Sequence, residues 1–160
     1  MRRAWLTGTM ALAALGLLAG CTPATYDLAA VSKDARGQPQ VELTLCKGEA
    51  AVGAFVMLHA DGPPESGWNT GIGGNHGRPG PFPLFSPPPD REVNREGPQS
   101  LLPGYRYWVS YHAVDGTSVK YEVMSHFRAE DIEALGPDQV WAHGRAMSRK
   151  RYREYVKDEC

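Results

Sequence analysis

Five histidines, His59, His76, His112, His126 and His143, are the side chains best suited to proton transfer or metal ligation near neutral pH. None stands in an HxxxH or HxH pair and there is no CxxC, so the local spacing that builds a metal site is absent. His112 and His126 fall on one face of a predicted hairpin, close in sequence pattern to Glu122, and a metal or proton-transfer site would need them to meet in space. Met57 and His59 have the strand spacing for soft copper ligation, but a core methionine beside an edge histidine is the reading the pattern favours. Gly71-Ile72-Gly73-Gly74-Asn75-His76-Gly77 lacks both the Gly-Lys-Ser/Thr ending of a phosphate loop and the GxGxxG spacing, and no GxSxG elbow occurs. No cofactor is implied.

Aromatic side chains offer a different chemistry. Tyr105, Tyr107, Trp108, Tyr111 and Tyr121 crowd one segment and would make a platform for stacking on sugars or peptides, with His112 and His126 beside it. The same residues suit a sheet core whose tyrosine hydroxyls reach water. Which applies depends on the hairpin Tyr105–Phe127. A three-residue loop, Asp115-Gly116-Thr117, gathers Tyr105, Tyr107, Val109, Tyr111, Val119, Tyr121, Val123 and Phe127 on one face, whereas a two-residue turn at Asp115-Gly116 mixes polar and apolar positions. Segregation favours the longer loop.

The remaining elements read outward from that hairpin. Val41 to Leu45 alternates as a half-buried strand, and Ala54 to Ala60 is apolar enough for a central one. Residues 62–104 hold 10 of the 13 prolines and 9 of the 18 glycines, a composition that predicts a long loop, with Trp68, Ile72, Phe82, Leu84 and Phe85 available to pack on the sheet. Ala129 to Leu135 predicts a short helix stopped by Gly136-Pro137, and Gln139 to Ala146 a last strand. Ser148 is placed to cap a helix from Arg149 to Asp158 with Tyr152, Tyr155 and Val156 on one face. The expected class is mainly β: a small antiparallel sandwich, or a sheet, with one or two short C-terminal helices, formed by residues 40–160.

The chain has 160 residues with 17 Lys+Arg against 18 Asp+Glu, a balance that argues against a nucleic-acid partner. Arg145, Arg149, Lys150, Arg151, Arg153 and Lys157 gather near the C-terminal end, where they suit anionic headgroups or, more simply, a solvated helix face.

At the N-terminus Arg2 and Arg3 precede an uncharged stretch from Ala4 to Leu18 and the small pair Ala19-Gly20, the layout of a secretory signal peptide over residues 1–20. The apolar stretch falls short of the ~20 residues that span a bilayer. Leu18-Ala19-Gly20-Cys21 resembles the lipobox of bacterial lipoprotein precursors. The resemblance implies cleavage before Cys21, a diacylglycerol on its thiol and a membrane partner held through acyl chains, at ~0.8 kcal/mol per buried CH₂. Thr22 in place of Asp would direct such a protein to the outer membrane of a Gram-negative envelope. Residues 21–39, polar and small, then read as a flexible tether.

With Cys21 lipidated, Cys46 and Cys160 are left, and an exported domain meets oxidising conditions in which they would pair. Taken together these features predict a non-enzymatic, membrane-anchored envelope lipoprotein that binds a protein, glycan or small ligand through the aromatic hairpin or the Gly/Pro loop. An exported metal-handling protein or hydrolase using dispersed histidines is the alternative.

Overall fold

The computed structural model describes residues 24–46, 50–59, 67–70, 81–86, 93–115 and 118–160; for 50–59 and 68–70 it describes the backbone course. The elements, in order, are β1 (Ala24–Tyr26), β2 (Ala29–Lys33), β3 (Pro39–Leu43), β4 (Ala50–His59), β5 (Gly67–Thr70), β6 (Phe82–Pro83) and β7 (Val93–Glu96). They continue with β8 (Arg106–Asp115), β9 (Ser118–Arg128), α1 (Ala129–Glu133), β10 (Gln139–Ala142), β11 (Arg145–Ser148) and α2 (Arg149–Glu159). Six strands form one sheet in the order β1-β9-β8-β4-β5-β7, and five form a second in the order β11-β10-β2-β3-β6. The mainly β class expected from the sequence is therefore observed. Pairing is antiparallel apart from β1, which runs parallel to β9 with Ala24 opposite Tyr121.

The two sheets share one core, in which Val31 and Val41 of the second sheet meet Val109, Tyr111, Val123 and Phe127 of the first. Among the described residues the hairpin β8–β9 supplies seven of the sixteen buried residues of that core. Tyr107 lies opposite Phe127, Tyr111 opposite Val123 and Ala113 opposite Tyr121, so odd positions face inward as the apolar alternation requires. The loop differs from expectation. Asp115 pairs with Ser118, leaving a two-residue connection, Gly116-Thr117, that lies outside the described residues. A register shift at Ala113/Val114 makes Lys120 an extra residue on β9, and this bulge restores the parity that a plain two-residue turn would have lost. It also turns Val119, expected in the core, out to 48% exposure.

The flexible tether over 21–39 is overturned within the described part of that span. Residues from Ala24 onward form β1 and β2, and β2 lies between β10 and β3 with Leu28, Ala29, Ala30 and Val31 all at 0–1% exposure. The segment Ala29-Ala30-Val31-Ser32-Lys33 lacks the alternation of a half-buried strand because it is covered on both faces. Ala29 and Val31 face the first sheet. Ala30 joins Val140, Ala142, Met147 and Tyr152 beneath α2, where a small side chain lets the helix approach closely. The folded domain thus includes residues 24–39, which the sequence pattern alone leaves outside it.

Residues 62–104 are likewise not one long loop: β5, β6 and β7 lie within them, and Phe82 and Leu84 reach the core at 7% and 0% exposure. Trp68 lies on β5, its side chain outside the described residues, as are Ile72 and the Gly71–Gly77 run. The single strand read over Gln139–Ala146 is a hairpin instead. His143 (φ 51°) and Gly144 (φ 67°) both take the left-handed conformation of a type I′ turn, joining β10 to β11.

The third layer is α2, capped as expected by Ser148 Oγ, which accepts from the Arg151 amide at 3.3 Å. At its N-terminal end Arg149 pairs with Glu42, whose carboxylate also accepts from the buried Ser32 hydroxyl at 2.9 Å. At its other end Cys160 is disulfide-bonded to Cys46, with a Cα–Cα separation of 5.2 Å. Midway, the Tyr152 hydroxyl donates to Leu28 O at 2.7 Å. Its one proton is then committed, so Thr44 Oγ1, 2.9 Å away, must donate to it.

That buried phenol gives the domain an alkaline limit. Burial raises the Tyr152 pKa far above its ordinary value of 10.0, outweighing the lowering by Thr44. The folded chain keeps the proton that the unfolded chain loses above pH ~10, so the contribution is complete below that pH and declines above it, by at most ~1.4 kcal/mol per pH unit. Tyr152→Phe is expected to cost about 1 kcal/mol at pH 7, since Leu28 O keeps its bond from the Thr44 amide, and to flatten the decline above pH 10. Urea unfolding at pH 7 and pH 11 checks both parts.

Candidate functional site

Most of the aromatic platform expected on the hairpin is core. Tyr107, Tyr111 and Tyr121 are 0%, 1% and 7% exposed, because odd positions of β8 and β9 face the second sheet. Tyr105 precedes β8 and is half-buried. The Tyr111 hydroxyl is spent on Thr44 O, and Tyr121 takes Tyr26 edge-on at 4.9 Å between ring centres. Burial raises the Tyr107 pKa, and its hydroxyl accepts from the Leu102 amide at 2.8 Å.

The outward face of the hairpin carries Trp108, His112, Glu122 and His126, and the register separates the two histidines. His112 stands opposite Glu122, while His126 stands opposite Trp108, with ring centres 6.5 Å apart. Trp108 and His112 are four steps apart on β8, so His126 lies about 13 Å along the strand from His112. The histidine pair proposed from sequence does not form a site. Among the described residues no group of three or more His, Cys, Asp or Glu side chains is placed to hold a metal. Met57 and His59 fall on β4 opposite Val109 and Tyr107, their side chains outside the described residues. His76 is also outside them.

His143 has a partner that the sequence did not suggest. Its Nδ1 lies 2.8 Å from Asp27 Oδ2, and its ring is 5.2 Å from that of Tyr155. This contact ties the β10–β11 turn to the link between β1 and β2. The one available signal was His143-Gly144 following an apolar strand, a dipeptide suited to a hairpin turn. Of the C-terminal cations Arg145 lies on β11 and Arg149 is paired with Glu42, while Lys150, Arg151, Arg153 and Lys157 are exposed on α2, with Lys150 3.9 Å from Glu154.

Several concave surfaces lie elsewhere, one of them beside α2 and lined by charged residues including Arg145, Arg151 and Asp158. A cleft of 460 Å³ opens at the α1 end of the molecule, between the β2–β3 turn, residues 99–103 and α1. Its size falls in the range of small-ligand sites. Phe85, Leu101, Pro103 and Ile132 supply apolar wall, and Lys33, Gln38 and Glu133 the polar rim. Lys33 Nζ donates to Glu133 O at 2.9 Å, tying the strand end to the helix end across the rim.

Each wall is fixed by local chemistry. In the β2–β3 turn Asp34 Oδ1 accepts from the Arg36 and Gln38 amides, both at 2.8 Å, and Gly37 (φ 81°) supplies the left-handed residue. Between residues 99 and 105, Leu102 is held by Tyr107 and Gly104 donates to Glu130 Oε1 at 2.6 Å. Backbone hydrogen bonds at its own amide and at Gly104 lower the Glu130 pKa. Asp131 Oδ2 accepts from the Arg128 amide at 2.7 Å and so caps α1.

Gln99 holds the opposite wall. Its Nε2 faces three backbone carbonyls, Gly67 O and Glu96 O at 2.9 Å and Gly97 O at 3.2 Å, which identifies that atom as the amide nitrogen. Gln99→Glu would set a carboxylate among those oxygens, and a loss of about 1–3 kcal/mol is expected, read by thermal unfolding at pH 7.

Among the described residues the cleft holds no histidine and no nucleophile–base pair; Ser100 is its only hydroxyl side chain. The arrangement can bury an apolar group and contact a polar one through Lys33 or Gln38. No family model, no curated protein and no solved structure matches this chain.

Proposed function

We propose that this protein is a non-enzymatic, lipid-anchored envelope protein that binds a protein, glycan or small ligand outside the membrane, in the outer membrane where the envelope has one. The observation that carries the reading is the N-terminal run, with Arg2-Arg3, the apolar stretch Ala4–Leu18 and the lipobox-like Leu18-Ala19-Gly20-Cys21 in order. The disulfide between Cys46 and Cys160 supports it, since such bonds persist in oxidising compartments. We assign binding to the cleft between α1 and the β2–β3 turn, in place of the aromatic hairpin whose tyrosines are buried.

The test is phase partition together with labelled-palmitate incorporation in the native host. Wild type is expected in the detergent phase carrying label, and Cys21→Ser in the aqueous phase without it. Equal partition of the two forms would remove the anchor and the proposal with it.

A further inference from the structure

An anchor on Cys21 would restrict how the domain meets the membrane, and the orientation of the domain rests on that assignment of Cys21. β1 starts at Ala24, three residues after Cys21, and three residues reach at most ~11 Å even when fully extended. The point where the chain joins the domain is therefore held within about that distance of the acylated sulfur. Because β1 runs parallel to β9 with Ala24 opposite Tyr121, this point lies at the β8–β9 turn end of the first sheet.

That end carries an exposed apolar side chain. Val119, 48% exposed, is the large apolar residue left open to solvent among the described residues. The bulge places it there, next to the exposed Lys120. Ala24 and Thr25, uncharged and exposed, lie on the neighbouring strand. The cleft is at the other end. α1 and residues 99–103 flank the far ends of β9 and β8, where Arg106 stands opposite Arg128. β9 has 11 residues, so the two ends are about 34 Å apart.

We infer that the β8–β9 turn end rests on the anchoring membrane, with Val119 in the headgroup layer, and that the domain stands upright on its short link with the cleft facing away. A headgroup layer is roughly 5–8 Å thick, so the cleft is well clear of it.

The acylated protein in phosphatidylethanolamine–phosphatidylcholine vesicles carrying a headgroup-level spin-labelled lipid quencher tests this. Cys46 and Cys160 are bonded to each other and Cys21 is acylated, so a fluorophore can be placed on Lys120→Cys or on Glu133→Cys. Quenching is expected at 120 and none at 133, and a ten-residue Gly/Ser insertion between Thr22 and Pro23 should abolish it at 120 while the protein still floats with vesicles. Equal quenching at both positions, or quenching at 133 alone, in protein that floats overturns the orientation and leaves the anchor standing. Failure of the wild type to float overturns both.

Discussion

Removal of residues 21–39 is expected to leave a chain that does not fold. A tether would be dispensable, but β2 is an inner strand, hydrogen-bonded to β3 along its length and to β10 through Val31 and Ser32. Leu28 and Val31 are 1% and 0% exposed, and burying such side chains contributes about 1.5–3 kcal/mol each. Their loss alone amounts to about 3–6 kcal/mol, set against a total stability of roughly 5–15 kcal/mol for a domain. The truncation would also open the ladder between β10 and β3 and uncover the inner faces of Tyr152 and Met147, which pack around Ala30. Circular dichroism and urea unfolding of residues 40–160 against 24–160 decide the point, and a cooperative transition near that of the longer chain would refute it. Val31→Asp tests the same strand in the intact protein. An unpaired buried carboxylate there is expected to cost more than about 4 kcal/mol.

Breaking the Cys46–Cys160 bond is expected to lower the unfolding free energy by about 2–5 kcal/mol. The two residues are 114 positions apart, so the cross-link removes much of the freedom of the unfolded chain, for which loop-closure arguments give about 4–5 kcal/mol. Cys46 also packs against the core at the end of β3, so the bond holds the C-terminal end of α2 against the second sheet. The double variant Cys46→Ser/Cys160→Ser, or wild type with reductant, should shift the urea midpoint down by that amount. An unchanged midpoint on adding reductant would show that the bond contributes nothing.

The sequence carried unequal amounts of this. The inward face of the hairpin β8–β9 was legible because Tyr107, Val109, Tyr111, Val123 and Phe127 keep strict alternation over two long strands, but alternation fixes only parity, and the expected three-residue loop would have set Tyr107 opposite Ser125 where Phe127 stands. Its turn was misread because the bulge at Lys120 shifts the count by one without changing the pattern elsewhere. β2 was illegible for the opposite reason. A strand covered on both faces has no polar side, and small residues such as Ala29 and Ala30 resemble a linker when the first sheet that covers the one and the helix that covers the other come much later in the chain. The pairing of Cys46 with Cys160 followed from elimination, whereas the cleft could not be found that way. Its walls come from residues 33–39, 85, 99–103 and 129–133, and none of these stretches carries a motif of its own. Of the two readings of the tyrosines, core and platform, the core one holds for Tyr107, Tyr111 and Tyr121, because they share the inward face with Val109, Val123 and Phe127.

The contact between β2 and β10 also bears on how the molecule comes into being. Val31 lies opposite Trp141, 110 positions on (141 − 31), so the second sheet gains its inner neighbours only once most of the polypeptide is present. Pairings this remote are slow to find. A nascent chain that has passed β3 but not yet β10 has the early half of that sheet with one open flank, and nothing local to cover it. The second sheet is therefore expected to close late, when β10 and β11 have joined β2.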